Sequence, residues 1–305
     1  MPKELTHWHL AGRVADGLPP GSRLRDIIQT HRPAYLGGAV LPDTLLHLFR
    51  GPHAATALDL AHAFHDTAGN SYAPLIQAEG RFSEGLPPPL LACLLGVISH
   101  IEADIVFHPF VYALTGAAGI GRHYQIETAI DCDLQRTSRP PALRHLTELV
   151  SASTQETFIS ACALLFDPHG RLPRSALQQA LELHCRLQSL YDRTFWKLAV
   201  RVLGGIAGSP FKEQRQLFYP LLRRAAIGCI EPSTQGWQHP VTGRVQRSTL
   251  KELTDEAVRR TMALFSLIEA QGSLTMALGN RPGENLLTGL HGVRQNEMTN
   301  GISRE

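Results

Sequence analysis

The chain has 305 residues, 43% of them hydrophobic and 18% charged, with a formal net charge of +2 when histidine is neutral. That length supplies material for one large domain or two modest ones, and the near-balanced charge creates no field that would draw in nucleic acid or an anionic membrane. The unusual count is histidine, 15 in all, and most of these lie at or before residue 123.

The opening segment, MPKELTHWHLAGRV, sets Lys3 and Glu4 ahead of His7 and His9 and holds no apolar run of signal-peptide length. A cytoplasmic location is therefore expected. Up to about residue 135, apolar helical patterns alternate with breaks at LPPGS (18–22) and GLPPP (85–89), and the double proline at 140–141 makes another. The longest apolar stretch, LLACLLGVI at 90–98, is about half the length that spans a bilayer and is followed at once by ionisable residues, so it reads as a core helix and no transmembrane segment is expected.

The stretch HIEADIVFH follows, with His100, Asp104 and His108 at intervals of four. Steps of four return to nearly the same face of an α-helix, so a helix here points two imidazoles and a carboxylate one way. A single such histidine is more often a core residue satisfied by a hydrogen bond, but three in register point to a site. Next, GAAGIG at 116–121 lacks the GxGxxG order and reads as a turn between helices. In GRHYQIETAID, His123 and Glu127 are again four apart. Glu102, Asp131 and Asp133 read as surface charges, and Arg122 as an exposed side chain near a site that binds phosphate or forms a salt bridge.

Beyond residue 150 the pattern is plainly helical. From 175 to 203, Leu177, Leu181, Leu187, Tyr191, Phe195, Leu198 and Val202 fit one helical face closed by Gly204 and Gly205, with His184 beside the stripe as a structural residue. EPSTQGWQHPVTGRV (231–245) is a polar loop without assigned chemistry. TLKELTDEAVRRTMALFSLIEA opens with a capping box, Thr249 with Glu252, and the polar tail from residue 293 is expected to fray. Five scattered cysteines, Cys93, Cys132, Cys162, Cys185 and Cys229, show no CxxC pair and read as reduced, buried thiols. The sequence implies an all-α fold, with a donor-bearing part at 1–135 and a helical scaffold at 136–305 packed together as one domain.

THWHLA, GAVLPDT with Asp43, and LAHAFHDT with His62 and His65 add further donors upstream. Imidazole and carboxylate without thiolate suit a catalytic zinc site. Taken in order, THW, GAVLPD, HDT, SHIEADIVFHPFVY and RHYQIE resemble the zinc-dependent phospholipases C, with which single-strand-specific zinc nucleases share a fold; HPVTGRV and NLLTGL extend the likeness. The resemblance implies a multi-helix bundle holding two or three Zn2+ ions. Asp43, His65, His100 and Asp104 would hold the first, and His108, His123 and Glu127 the second. His7 and a bridging Asp104 would serve a third, together with the amine and carbonyl of an N-terminal Trp in the family; here that pair is expected to be missing, leaving a two-zinc site, or replaced by another side chain or a water. His9, His47, His53 and His62 are candidate substitutes for that Trp, and His62 competes with His65 for the first site. The resemblance also implies cleavage of a phosphodiester or phospholipid-like substrate, with Asp43 as both ligand and general base. A nuclease or nucleotidase would use the same cluster, but 7% aromatic residues and balanced charge offer few stacking platforms or basic grooves. A zinc-stapled binding protein is the reading from outside enzymology. The sequence leaves the oligomeric state open.

Overall fold

A computed structural model describes residues 3–116, 119–137, 143–204, 213–221, 228, 230 and 236–299. Among them the fold is helical, as expected: α1 (Glu4–Gly17), α2 (Arg23–Thr30), α3 (Arg32–Gly38), a 3-10 segment (Leu41–His47), α4 (Ala54–His65), α5 (Ala73–Glu79), α6 (Pro88–Thr115), α7 (Ile120–Thr137), α8 (Ala152–Phe166), α9 (Arg174–Tyr191), α10 (Thr194–Gly204), α11 (Leu250–Gln271) and α12 (Leu274–Leu278). The strands are two residues each, β1 (Trp237–Gln238) and β2 (Val245–Gln246), paired antiparallel. Of the loop read at 231–245, residues 231–235 lie outside the described residues. Trp237 is buried edge-on against Phe110 of α6.

Helix α6 is the axis of the bundle. It starts with prolines, whose missing N–H groups cost nothing in the first turn, and ends at Gly116, whose φ of 69° suits glycine alone among residues free of strain. By length and composition it is long enough to cross a membrane, but 89% of its most apolar window is packed inside the protein. Helices α1, α3, α7, α8 and α11 pack around it.

Two glycines bring α3 and α6 into backbone contact. A Cβ on Gly38 would lie 2.0 Å from the Cys93 carbonyl oxygen, and one on Gly96 would lie 2.0 Å from that of Tyr35. Only hydrogen fits at either position. The close approach also carries the carbonyl of Ala39 to the ring of His100 on α6.

Within the scaffold the structure corrects several expectations. The stripe at 175–203 is two helices: the carbonyl of Tyr191 accepts from the Tyr219 N–H instead of continuing the turn, and Asp192 takes the Lys197 ammonium. Leu177, Leu181 and Tyr191 are buried, whereas Phe195, Leu198 and Val202 on α10 are exposed. Gly205 and Cys229 lie outside the described residues, and the other four cysteines are buried. The tail is docked up to residue 299, because Gln295 N–H donates to Asp66 and Thr299 N–H to the Pro240 carbonyl. Helix α11 has the expected reciprocal box, Thr249 N–H to Glu252 at 2.8 Å and Glu252 N–H to Thr249 Oγ1 at 3.3 Å.

Glu102 and Asp131 are not surface charges. Glu102, two positions from His100, faces away from it and accepts hydrogen bonds from Tyr72 and Arg260. Asp131 is fully buried and accepts from the Thr6 N–H and hydroxyl and from the Tyr219 hydroxyl. Glu102 lies on α6, which is buried on nearly every face, and Asp131 on the buried face of α7, so position in the packed bundle, rather than neighbours in sequence, decides their burial. Asp133 pairs with Arg136, and Arg122 is exposed and bonded to Gln125.

Candidate metal centre

The donors arrive from separate elements. His7 comes from α1, Asp43 from the 3-10 segment, and His65 from the last residue of α4. His100, Asp104 and His108 line one stripe of α6, and His123 and Glu127 sit a turn apart on α7. All eight are buried. Three groups have ligand atoms within 4.8 Å of one another: His7 with Asp43 and His100; His65 with His100 and Asp104; and His108 with His123 and Glu127.

Asp104 is central to the arrangement. Its Oδ1 lies 3.5 Å from His7 Nε2, while its Oδ2 lies 3.1 Å from His100 Nε2 and 4.0 Å from His65 Nε2. Asp43 Oδ1 is 3.4 Å from His65 Nε2 and 3.8 Å from His100 Nε2. The rings of His7 and His100 stack at 4.1 Å. On α7, His123 Nε2 stands 2.8 Å from Glu127 Oε1.

The outer nitrogens explain the orientation. His65 Nδ1 faces the Ala61 carbonyl at 2.8 Å, His100 Nδ1 the Ala39 carbonyl at 2.9 Å, and His108 Nδ1 the Leu286 carbonyl at 2.6 Å. A carbonyl only accepts, so each Nδ1 carries the proton and each Nε2 presents a lone pair to the cluster. Sequence reading missed these contacts because a backbone carbonyl leaves no mark in the residue code.

The one legible trace was NLLTGL. Within it, Asn285 ties the loop to Asp66 and Thr67, and Gly289, at φ 66°, fits over the notch that Pro109 leaves in α6, where a Cβ would meet the Ile105 carbonyl at 2.7 Å. That seating aims the Leu286 carbonyl at His108.

Electrostatics agree with ligation. Burial, reinforced by the neighbouring His100, lowers His7 to about 3, and burial lowers His108 to about 3 and pushes His123 well down, so these rings stay neutral at ordinary pH. For His100 burial is outweighed by Asp104 and Asp43, which raise it. Burial opposes ionisation of Asp43, but His100 and His65 hold its carboxyl at about 2, and Asp104 is depressed further by His100 and His108.

Metal ions fit this set on a direct test. His7 Nδ1 and Nε2, Asp43 Oδ1, His65 Nε2, His100 Nε2, both Asp104 oxygens and His108 Nε2 are buried with no hydrogen-bond partner among the described residues. A fold seldom leaves so many buried polar atoms unsatisfied, and the nitrogen and oxygen donors are those of a zinc centre without thiolate.

Of the other histidines, His62 is exposed while His65, a turn away, faces the cluster. His9, His53 and His62 join no donor group among the described residues. His47 turns instead toward Glu4 and His184, a grouping the sequence did not disclose because its members are 43 and 137 positions apart.

Comparison with known proteins gives no significant match among curated proteins or solved structures. A family model described as zinc dependent phospholipase C matches residues 6–165, more than half of the chain and the whole span from His7 to Glu127. The chain therefore belongs to the zinc-dependent phospholipase C family.

Proposed function

We propose that the protein hydrolyses a phosphodiester at the alcohol side, as a phospholipase C does, on a phospholipid or related soluble diester. The observation that carries this reading is that His7, Asp43, His65, His100, Asp104 and His108 turn buried donor atoms without hydrogen-bond partners among the described residues into adjoining groups, the last of which is completed by His123 and Glu127. His7, Asp43, His65, His100 and Asp104 would hold one or two ions, and His108, His123 and Glu127 another. Bound zinc supplies positive charge for phosphoryl oxygens and makes a ligated water acidic enough to react near neutral pH.

The chain's own residues divide the remaining work. His7, His100, Asp104 and His108 have no side-chain exposure, whereas Asp43 retains 10% and His123 9%. The solvent-facing edge of the cluster is thus at Asp43 and His123, where a substrate can approach. Asp43 is ionised at neutral pH and is available to take a proton from the attacking water. The carbonyls of Ala61, Ala39 and Leu286 fix the rings so that no imidazole has to reorient during turnover. Balanced charge and few aromatic residues support a lipid-like or small diester over nucleic acid, and a cytoplasmic location belongs to the same reading.

The test is hydrolysis by zinc-loaded protein of a short-chain phosphatidylcholine below its micelle concentration, following diacylglycerol release, with Asp43→Asn alongside. The variant should lose about 10²- to 10⁴-fold in kcat, the range for removing a general base, while keeping most of its metal. Equal loss of metal and turnover reduces Asp43 to a ligand. A metal-replete wild-type protein inert on phosphodiesters overturns the reading.

A further inference from the structure

Away from the family's donor set, Glu4, His47 and His184 have ligand atoms within 4.8 Å of one another. Glu4 is in the first turn of α1, His47 closes the 3-10 segment, and His184 lies on α9, beyond the region that matches the family. The geometry points to a separate site for a divalent transition metal of the zinc class, held by Glu4, His47 and His184. It is distinct from the cluster proposed to hydrolyse phosphodiesters and does not depend on that activity.

The arrangement repeats the features that mark the main cluster. His47 Nδ1 faces the Asp43 carbonyl at 3.0 Å, so its proton is on Nδ1 and its Nε2 lone pair is free for a ligand. His184 Nδ1 meets the Thr44 hydroxyl at 3.1 Å, which can accept its proton in the same way. His184 is completely buried, and its Nε2, like Glu4 Oε2, has no hydrogen-bond partner among the described residues.

An ordinary ion pair does not account for these groups. His184 Nε2 and Glu4 Oε1 are 3.6 Å apart, longer than a hydrogen bond. That spacing is close to the roughly 3.4 Å separating two donors around a tetrahedral zinc with bonds near 2.1 Å. The rings of His47 and His184 stack in parallel at 4.0 Å, an arrangement that two imidazolium charges would oppose. Lys3, the adjacent cation, sends its ammonium to the Leu217 carbonyl and over the Tyr191 and Tyr219 rings. Lys3 and His184 act on the Glu4 carboxylate electrostatically, yet Glu4 Oε2 and His184 Nε2, beside two stacked imidazoles, have no hydrogen-bond partner among the described residues.

Two imidazoles and one carboxylate leave a coordination position open, and His47, which is only half-buried, gives water a route to it. The position also has a consequence for the main cluster. His47 holds the carbonyl of Asp43, and Thr44 holds His184, so an ion here would fasten the segment presenting Asp43 to both α1 and α9.

The experiment is equilibrium dialysis against Zn2+ followed by elemental analysis of wild type, Glu4→Gln, His184→Gln and, as a contrast, His108→Ala. Glu4→Gln and His184→Gln should each bind one equivalent fewer than wild type, and His108→Ala should lose metal from the other site. Folded variants that bind as much zinc as wild type overturn the proposal. If a substitution prevents folding, anomalous diffraction at the zinc edge from wild-type crystals decides. A peak between the three side chains is expected, and its absence at saturating zinc overturns the site. A peak there with none around Asp104 would uphold this site while sinking the hydrolytic cluster.

Discussion

Glu102 and Asp104 stand two residues apart on α6, both carboxylates and both buried, and the protein treats them in opposite ways. Two positions on a helix are about 200° apart, so they face different surroundings. Glu102 accepts from the Tyr72 hydroxyl and from Arg260 Nε at 2.5 Å, and Arg260 is braced in turn by Glu284 at 3.0 Å. Asp104 has neither of its oxygens hydrogen-bonded among the described residues, although four imidazoles, those of His7, His65, His100 and His108, face it within 4.0 Å. Burying a carboxylate costs several kcal/mol unless a positive charge or good donors compensate. On the Glu102 face the chain supplies them. On the Asp104 face the Nδ1 groups of His65, His100 and His108 are engaged by backbone carbonyls, and no hydrogen bond reaches either Asp104 oxygen among the described residues, an arrangement that suits a bound cation.

The sharpest way to break this comparison is to remove metal and lower the pH. In metal-free protein, burial holds His7, His47 and His108 at about 3 against an ordinary 6.5. Below 6.5 the unfolded chain takes up these protons while the folded chain refuses them, so stability present above 6.5 is lost progressively as pH falls toward 3. Asp43, at about 2 against 3.8, adds a loss below 3.8. His100, raised by Asp104 and Asp43, works the other way, since its contribution is complete below 6.5 and declines as pH rises through its folded value. The depressed rings, with His123 among them, outnumber the raised ring of His100 and give net acid lability. Melting temperature of the metal-free protein should fall steeply from pH 7 to pH 5, and zinc at pH 7 should raise it. A flat profile, with no response to zinc, would mean the Asp104 face is as self-sufficient as the Glu102 face.

Glu102→Ala tests the other side. It leaves Arg260 with Glu284 alone and strips the buried Tyr72 hydroxyl of its acceptor. Removing one partner of such a buried pair typically costs about 3 kcal/mol or more. Denaturant unfolding should show that loss with metal content per chain unchanged. Loss of metal as well would show that the two faces are coupled through the helix.

The sequence made the Asp104 face easier to read than the Glu102 face. Donors at helical spacing in HIEADIVFH and RHYQIE announce themselves by residue type, and the fold class follows from helical periodicity with little strand alternation. Glu102 looked like surface charge because its partners, Tyr72 and Arg260, lie 30 and 158 positions away. The same distance hid His184 from Glu4. Phe195, Leu198 and Val202 continued an apolar stripe on paper, but the chain turns at Asp192, and a helical period cannot be carried through a break. What sequence reading lacked was therefore long-range pairing and the backbone carbonyls, which depend on close approaches such as that of Gly38 to α6.

The smallest effect belongs to a polar contact far from either face. Ser22 caps α2, accepting the Arg25 N–H at 3.2 Å and donating to Glu269 Oε2 at 2.7 Å, and so joins α2 to α11. Ser22→Ala removes the cap, a loss of about 1 kcal/mol, but Glu269 keeps the Arg23 and Leu24 N–H groups at 2.9 Å each and is not orphaned. In a chain of this size that corresponds to a fall in melting temperature of about 2 °C. Helix α2 contributes no donor to any of the metal groups, so zinc content and the acid profile should match wild type. A change in either would mean that the donor elements respond to general loosening of the bundle, and that the acid lability of the metal-free protein cannot be assigned to the rings around Asp104.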